Sequence, residues 1–212
     1  MMLSAERIRQ LIHDPEPKPK DRISITPILD WDRQAKSGNC SIDVRLGQKF
    51  RVPRRAELEK LDHVSPEHED KIGLYKDDHY VPIGDRFVSH PRQFVLGETL
   101  EWVHLPRGFA AYVIGRSSWG RDGLVIATAT GVHAGYSGIL TLEITNLGEI
   151  PIFLWPGLTI AQLFIHRVEH GGAECNFHRS TYSGSTFPAS GSAAGPDKEI
   201  IRELRATLGL KE

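Results

Sequence analysis

Short runs in which hydrophobic and polar positions alternate recur along most of this 212-residue sequence. In residues 41–46, Ile42, Val44 and Leu46 alternate with polar residues, a pattern typical of a half-buried strand. Six more short apolar runs follow Tyr80, with Gly, Pro and Asn marking the turns among them. They predict strands at 94–96, 98–103, 110–115, 139–145, 150–154 and 159–165. So many short strands favour an all-β fold, either a sandwich or a jelly-roll β-barrel.

The two ends of the chain follow other patterns. Residues 4–13 predict an amphipathic helix with Ser4 as its N-cap, and residues 197–208 predict a second helix. Residues 54–78 are rich in charged side chains and show no clear periodicity of hydrophobic positions, which indicates an exposed insertion. Residues 180–196 are rich in Ser, Gly, Thr and Ala, the composition of a flexible arm. The predicted organisation is a helix and connector at 1–22, a β-barrel domain at 23–170, and an arm with a helix at 171–212.

Composition and charge exclude several classes of function. A net charge of −1 does not support the basic surface that nucleic-acid binding requires. The two cysteines, Cys40 and Cys175, are too few for a disulfide framework. No apolar run is long enough for a membrane span, and the N-terminus lacks a signal-peptide pattern. We therefore expect a cytoplasmic protein without nucleic-acid or membrane partners.

The segment 115–146 carries the densest chemistry. Arg116 and Arg121 could hold anionic oxygen through their guanidinium groups, and Ser117 and Ser118 add hydroxyl groups beside them. Gly120 would let backbone amides come close to a ligand. The alternative interpretation is a solvated turn with two surface arginines, which residue types alone favour.

Glu143 lies between Leu142 and Ile144 in a run that alternates like a strand. Its carboxylate could lie on the solvent face, which is the usual explanation for an acidic residue in a strand. It could instead face a cleft and take a proton from water. Composition does not choose between the two.

The segment resembles three motifs of the dCTP deaminase branch of the dUTPase superfamily: Gly-Arg-Ser-Ser-x-x-Arg-x-Gly at 115–123, Gly-Tyr-Ser-Gly at 135–138, and Thr-Leu-Glu-Ile-Thr-Asn at 141–146. Three outlying matches extend the resemblance over most of the chain: Ser-Ile-Asp-Val-Arg-Leu-Gly at 41–47, Pro-Gly-x-x-Ile-Ala-Gln-Leu at 156–163, and Thr-Tyr-Ser-Gly at 181–184. The central block is specific, and the matches occur in the family's order.

The resemblance implies a distorted jelly-roll β-barrel of the dUTPase-like type with short flanking helices, assembled as a homotrimer with active sites between subunits. The implied reaction is hydrolysis of dCTP to dUTP and ammonia, in the supply of dUTP and dTTP precursors. Mg²⁺ would bind through the substrate phosphates, and dTTP is a candidate inhibitor. The zinc deaminases carry H-x-E followed by P-C-x-x-C, and this sequence has no such cysteine pair.

The resemblance also implies roles for individual residues. Glu143 would activate the water that attacks C4 of cytosine, with Ser117 and Arg121 holding that water and the base. The Arg-Ser-Ser corner would contact the triphosphate, and the backbone near Thr141 and Leu142 would contact the edge of the pyrimidine. The C-terminal arm would close over the phosphates. The residues implied in substrate binding are Arg116, Ser118, Trp119, Gly120, His133, Thr141, Leu142 and Tyr182. Packing is a competing role for Trp119.

Three positions depart from the family pattern, and two alternatives to deamination alone stay open. His133 stands where many members have an aspartate that holds the sugar hydroxyl, and Thr181 and Ser185 replace a lysine and a glutamine of the arm. One alternative is a dUTP diphosphatase or a bifunctional enzyme that releases dUMP. The other is a weakened family member that binds nucleotides without turning them over.

Overall fold

Antiparallel strand pairing builds the body of the protein, in a computed structural model that describes residues 1–14, 16–18, 21–53, 62, 64, 76–128, 131–169, 183–189 and 197–209. The strands are β1 Ser24–Thr26, β2 Ile42–Arg45, β3 Lys49–Pro53, β4 Lys76–Tyr80, β5 Phe87–Ser89, β6 Phe94–His104, β7 Phe109–Gly115, β8 Leu124–Ile126, β9 Gly131–Val132, β10 Ser137–Asn146, β11 Ile152–Leu154 and β12 Thr159–Arg167. The helices are α1 Ala5–His13, α2 Trp31–Gln34, α3 Ser117–Arg121 and α4 Asp197–Thr207.

The strands pair into three sheets. The largest has the order β4-β3-β6-β10-β8, with β1 also paired to β6. A second sheet has the order β2-β12-β7-β9, and β11 pairs with β5 in the third. The all-β prediction is confirmed. Among the described strands, the pairing does not close into a barrel.

One hydrophobic core fills the space between the two larger sheets. The six-stranded sheet contributes fully buried Val95, Leu142 and Ile144, and the four-stranded sheet contributes Ile42 and Leu163. Full burial of each such side chain stabilises the fold by roughly 1.5–3 kcal/mol. Leu142 and Ile144 therefore fix which face of β10 is turned inward, and the residues between them are directed to the other face.

A buried polar cluster lies behind β2, although the sequence predicted a strand with one solvent face. Glu101 accepts hydrogen bonds from the Gln34 side chain at 2.9 Å and from the Arg45 backbone N–H at 2.8 Å. The Arg45 guanidinium donates to the Gln34 side-chain oxygen and lies 3.8 Å from the Glu101 carboxylate. The prediction of a half-buried β2 is wrong at Arg45, because α2 and β6 supply partners that cover it.

Several elements match their predictions and others differ. Ser4 caps α1 by accepting a hydrogen bond from the Arg7 N–H at 3.2 Å, as predicted. The predicted strands 94–96 and 98–103 are one strand, because Gly97 continues the ladder opposite Leu142. A Cβ at Gly97 would lie 3.0 Å from the Ile144 side chain, so the absence of a side chain at this position leaves room for Ile144 in the core.

Two predicted surface segments are only partly described. The insertion predicted at 54–78 lies largely outside the described residues, but its last three residues begin β4 and so belong to the sheet. Of the predicted arm, residues 183–189 are described. The domain boundaries after residues 22 and 170 stay predictions. None of the helices in the described ranges is both long and apolar enough to cross a membrane.

Candidate active site

The corner predicted to bind an anion begins where β7 ends. At Gly115 a Cβ would lie 2.9 Å from the Cβ of Ile126, so the packing of β7 against β8 requires a glycine. Arg116 then occupies the N-cap position of α3. Gly123, with φ of 87°, turns the chain from α3 into β8. The segment is therefore a single helical turn held between two strands, not an irregular loop.

Four predicted substrate-contacting residues on α3 are exposed: Ser117, Ser118, Gly120 and Arg121. Within the described ranges, the side chains of Ser117, Ser118 and Arg121 make no hydrogen bond or ion pair. Their donors are thus available to a ligand or to another subunit. Arg121 is the exposed cation of this corner.

Trp119 is oriented differently from its neighbours on α3. Its indole ring packs against the hydrophobic core, and its Nε1–H donates to the Thr159 carbonyl at 2.9 Å. These contacts anchor α3 on β12. They support the packing role that the sequence left open beside substrate contact.

Arg116 is held within the chain. Its Nη1 donates to Oδ2 of Asp43 on β2 at 2.5 Å, and the other oxygen of Asp43 accepts from the Gln162 side chain at 3.0 Å. The side chains of Arg116 and Asp43 are 37% and 14% exposed. The sequence placed Asp43 on the polar side of a strand without a partner, because Arg116 and Gln162 are far away along the chain.

Glu143 lies on the half-buried face of β10, between the fully buried Leu142 and Ile144. Its backbone N–H donates to the Thr128 hydroxyl at 2.9 Å, and its carbonyl accepts from the Ala127 N–H at 2.8 Å. These bonds fix the strand at this position. In the described part of the chain, the Glu143 carboxylate itself has no hydrogen-bond or ion-pair partner.

Neighbouring strands add polar groups to the face that carries Glu143. Thr141 is opposite Glu98 and Glu143 is opposite Leu96, and directly opposed residues of an antiparallel pair lie on the same face. Burial raises the pKa of Glu98 above its ordinary value, against the lowering influence of Lys49. One Glu98 oxygen accepts from the Lys49 N–H at 3.2 Å, and the other has no partner among the described residues.

The arm segment, which we define as residues 183–189, lies against β3 and β10. Its Gly184 N–H donates to the Ser137 carbonyl at 2.6 Å, and the Ile139 N–H donates to the Ser185 carbonyl at 3.1 Å. Farther along, the Ala189 N–H donates to the Thr141 hydroxyl at 3.0 Å. The segment thus runs beside β10 toward Glu143.

A cation–π contact adds to this attachment. The guanidinium of Arg51 lies over the ring of Phe187 in the arm segment, with its Cζ 4.8 Å from the ring centroid. The Lys49 ammonium lies 5.7 Å from the same centroid. Arg51 is also bound to Asp78 by bonds of 2.6 and 3.0 Å, which hold the pKa of Asp78 below its ordinary value. β3 and β4 therefore present a fixed cation to the arm segment.

The remaining predicted site residues lie in different surroundings. His133 is exposed in the turn after β9. Leu142 is fully buried in the core, so only its backbone could reach a ligand. Tyr182 lies outside the described residues. Tyr136 is buried and donates to the Ile139 carbonyl, and burial raises its pKa to about 12, so this motif aromatic fixes the start of β10.

The predicted catalytic residues form two separate groups. Ser117 and Arg121 lie on α3, and Glu143 lies on β10 beside the arm segment, without a hydrogen bond or ion pair between the groups among the described residues. Sequence reasoning missed Asp43, Glu98 and Phe187. Asp43 had a signal, since it stands within the motif at 41–47, but the other two depend on strand register and on the path of the arm. Within the described ranges, no three His, Cys, Asp or Glu side chains are grouped to hold a metal ion.

Comparisons with known proteins show which family the chain resembles. The family described as dCTP deaminase-like matches residues 2–168. The dCTP deaminase of Natronomonas pharaonis is 37% identical over 206 residues, which cover 94% of this chain and 98% of that protein. The dUMP-forming dCTP deaminase of Halobacterium salinarum is 42% identical over 142 residues, which cover 66% of this chain and 70% of that protein.

A solved structure also resembles this chain. It is the 2'-deoxycytidine 5'-triphosphate deaminase from Agrobacterium tumefaciens, at 25% sequence identity and a TM-score of 0.56. The match covers 80% of this chain and 48% of the solved chain, so this chain corresponds to about half of that protein's length.

Proposed function

The chain belongs to the dCTP deaminase-like family, and we propose that it hydrolyses dCTP to dUTP and ammonia with Glu143 as general base and acid. It is an enzyme that acts on dCTP. The observation that carries the mechanism is the placement of Glu143. Its carboxylate stands on the half-buried face of β10 without a partner in the described ranges, in a strand whose backbone is fixed on both sides.

The reaction needs a proton acceptor and then a proton donor at one position. Glu143 takes a proton from water as the water oxygen bonds to C4 of cytosine. The carboxylic acid gives that proton to N3, and the carboxylate then takes the second proton from the hydroxyl group on C4 and passes it to the amino group, which leaves as ammonia while C4 becomes a carbonyl. No step requires zinc in this scheme. A half-buried carboxylate suits it, because partial exclusion of solvent strengthens interactions with the reacting atoms.

The α3 corner supplies the second part of the site. Arg121 and Ser117 hold the water and the base, and the other polar groups of the corner contact the triphosphate. Mg²⁺ accompanies the phosphates as part of the substrate complex. Because no hydrogen bond or ion pair joins these groups to Glu143 among the described residues, the proposal includes a homotrimer in which each site draws on two subunits.

The outer face of the four-stranded sheet supports assembly. Tyr112 and Ile114 on β7 are 51% and 48% exposed, and α3 follows directly after this strand. Exposed aromatic and aliphatic side chains next to functional residues are typical of a subunit contact. The proposal also includes a cytoplasmic location and inhibition by dTTP.

A second candidate is release of dUMP and pyrophosphate in the same active site. The observation that favours it is the 42% identity to a relative named as dUMP-forming. His133 argues for the dUTP product, because the diphosphatases use an aspartate at the matching position to place the water that attacks the phosphate.

One assay tests both candidates. The protein is incubated with dCTP and Mg²⁺, and the nucleotides are separated and quantified together with ammonia and pyrophosphate. We expect dUTP and ammonia in equal amounts. Appearance of dUMP with pyrophosphate from the earliest time points would favour the second candidate, and unchanged dCTP would contradict both.

A further inference from the structure

The face of the six-stranded sheet that carries Glu143 extends to two cations on β3. Arg51 of β3 is opposite Leu96 of β6, and Leu96 is opposite Glu143 of β10. Directly opposed residues of an antiparallel pair share a face of the sheet, and so do residues two positions apart in one strand. Lys49 and Glu98, each two positions from a member of this row, therefore lie on the same face as Glu143.

The arm segment crosses this face. Its Ala189 N–H donates to the Thr141 hydroxyl on β10 at 3.0 Å, and its Thr186 carbonyl accepts from the Lys49 ammonium on β3 at 2.5 Å. Because β6 lies between β3 and β10, a segment bonded to both strands must pass over β6. Leu96 on β6 is only 5% exposed although it lies outside the hydrophobic core, as expected of a residue beneath such a segment.

Lys49 directs its charge to the arm segment. Besides its bond to Thr186, its ammonium lies 5.7 Å from the Phe187 ring centroid, so its described hydrogen-bond and ring contacts are both with the arm segment. Arg51 also contacts Phe187, but its guanidinium is bound to Asp78. A hydrogen bond from a charged donor is stronger than one between neutral groups. The bond from Lys49 is therefore a strong attachment of the arm segment to β3.

Glu98 opposes this attachment. It is 6% exposed, one of its oxygens accepts from the Lys49 N–H, and the other has no partner among the described residues. A buried carboxyl oxygen without a hydrogen bond is unfavourable, and the raised pKa of Glu98 has the same cause, which is burial. When the arm segment lifts from β6, water reaches this oxygen and the penalty disappears. Burial of Glu98 thus favours the open arm, whereas Lys49 favours the closed one.

We propose that Lys49 is a positioning residue for the deamination reaction, which holds the arm segment across the Glu143 face of its own chain, and that the buried Glu98 carboxyl limits this hold. This proposal rests on the proposed function. A closed arm segment keeps bulk water from the reacting atoms, and an arm that opens lets nucleotides enter and leave. The opposing effects of Lys49 and Glu98 set the balance between these two states.

Hydrogen exchange without nucleotide measures the hold directly. The reporter is the Ile139 amide, which donates to the Ser185 carbonyl of the arm segment. Lys49→Met keeps the aliphatic chain and removes the ammonium, so exchange at Ile139 should become about tenfold faster or more. Lys49→Arg keeps the charged donor and should restore most of the protection. Glu98→Gln keeps the acceptor for the Lys49 N–H and removes the buried charge, so exchange should become severalfold slower.

Steady-state kinetics with dCTP connect the hold to the reaction. Lys49→Met should lower kcat/KM about tenfold or more, mainly through kcat, because an open arm admits bulk water to the Glu143 face. Lys49→Arg should recover most of this loss. Glu98→Gln should lower KM, because the arm then closes more firmly over bound substrate.

Two controls separate the arm segment from the rest of the fold. Lys36→Met removes an exposed lysine that follows α2, and it should change neither the exchange at Ile139 nor the kinetics. Exchange at the amides of β12, measured in the same samples, reports any loss of overall stability. A merely structural role of Lys49 would accelerate exchange in β12 and at Ile139 alike and leave kcat unchanged.

Three results would overturn the proposal. Unchanged exchange at Ile139 in Lys49→Met would show that Lys49 does not hold the arm segment. Faster exchange with unchanged kcat and KM would show that the hold has no part in the reaction, and faster exchange in Glu98→Gln would contradict the opposing role of Glu98. Failure of the proposed function is a different observation, in which the unmodified protein releases no ammonia from dCTP while the exchange series still measures the hold.

Discussion

Glu143 is one of three polar residues that alternate with the core residues of β10. Thr141 is engaged by the arm segment through the Ala189 N–H, whereas the Glu143 carboxylate has no partner in the described ranges. Alternation alone cannot distinguish a solvent face from a cleft. Glu98 of β6 lies on the same face as Glu143, and the arm segment runs beside it, so we infer that this face is not open to bulk solvent.

Glu143→Gln keeps the shape of the side chain and removes its ability to accept a proton. We expect a folded protein that binds dCTP and releases no measurable ammonia, because the amide cannot take the proton from water in the proposed mechanism. Ammonia release and calorimetric dCTP binding are the two measurements. Glu149→Gln is the matched control, because this exposed glutamate lies in the turn after β10 and should not affect the rate. If Glu143→Gln released ammonia at the rate of the unmodified protein, Glu143 would be a surface residue without a catalytic role.

At the scale of elements, the cluster of Gln34, Arg45 and Glu101 joins α2, β2 and β6. Burial raises the pKa of Glu101 to about 7, against the lowering effect of its hydrogen bonds. Its ordinary value is 4.5. The folded protein therefore binds this proton more tightly than the unfolded chain, and the associated stability is present at low pH and lost as the pH rises toward 7.

The free energy of unfolding should consequently fall between about pH 4.5 and pH 7, by up to roughly 3 kcal/mol from this group. Glu101→Gln should remove most of that slope, whatever its effect on stability at a single pH. Urea unfolding at several pH values measures the slope, and Glu149→Gln should retain it. An equal slope in Glu101→Gln would mean that Glu101 is ionised in the folded protein throughout this range.

The arm segment depends on Phe187 for its attachment to β3. Phe187→Ala should accelerate hydrogen exchange at the Ile139 amide, which donates to Ser185, by about twofold to thirtyfold, since a cation–π contact contributes about 0.5–2 kcal/mol. The matched control is Phe153→Ala, because Phe153 lies 4.6 Å from the Arg86 guanidinium on the β11–β5 sheet. Unchanged exchange at Ile139 in Phe187→Ala would show that backbone pairing alone holds the arm segment.

The sequence predicted those elements whose pattern is longer than a few residues. β10 and α1 match closely, because their periodicity and the Ser4 cap are local signals. α2 and α3 have four and five residues, too few for a helical period, and they form because β2 and β12 hold them. The functional motifs could be recognised, but the partner of Arg116 could not, because the pairing joins residues 73 positions apart.

At the scale of the whole molecule, the candidate site is divided between two surfaces. The α3 corner follows the exposed side chains of β7, and Glu143 lies on the six-stranded sheet. We therefore expect a trimer in sedimentation velocity at micromolar concentration. Ile114→Asp should weaken assembly and activity together, because burying a charge in a subunit contact costs free energy. Ile83→Asp, at an exposed turn residue, is the control, and a fully active monomer would contradict a site shared between subunits.

Shared sites make a further prediction about mixtures. Chains with Glu143→Gln lack the base, and chains with Arg121→Ala lack the exposed cation, so each should be inactive alone. In a mixed trimer, a site can combine Glu143 of one chain with Arg121 of another. When the two chains mix at random, about a quarter of all sites carry neither substitution, and in the mixed trimers alone about one site in three does, so purified mixed trimers should recover about a third of the parent activity. Differently tagged chains, purified through both tags in succession, ensure that only mixed assemblies are assayed for ammonia release. If purified mixed assemblies remain inactive, Glu143 and Arg121 of the same chain must act together, and α3 would have to reach the Glu143 face within one subunit.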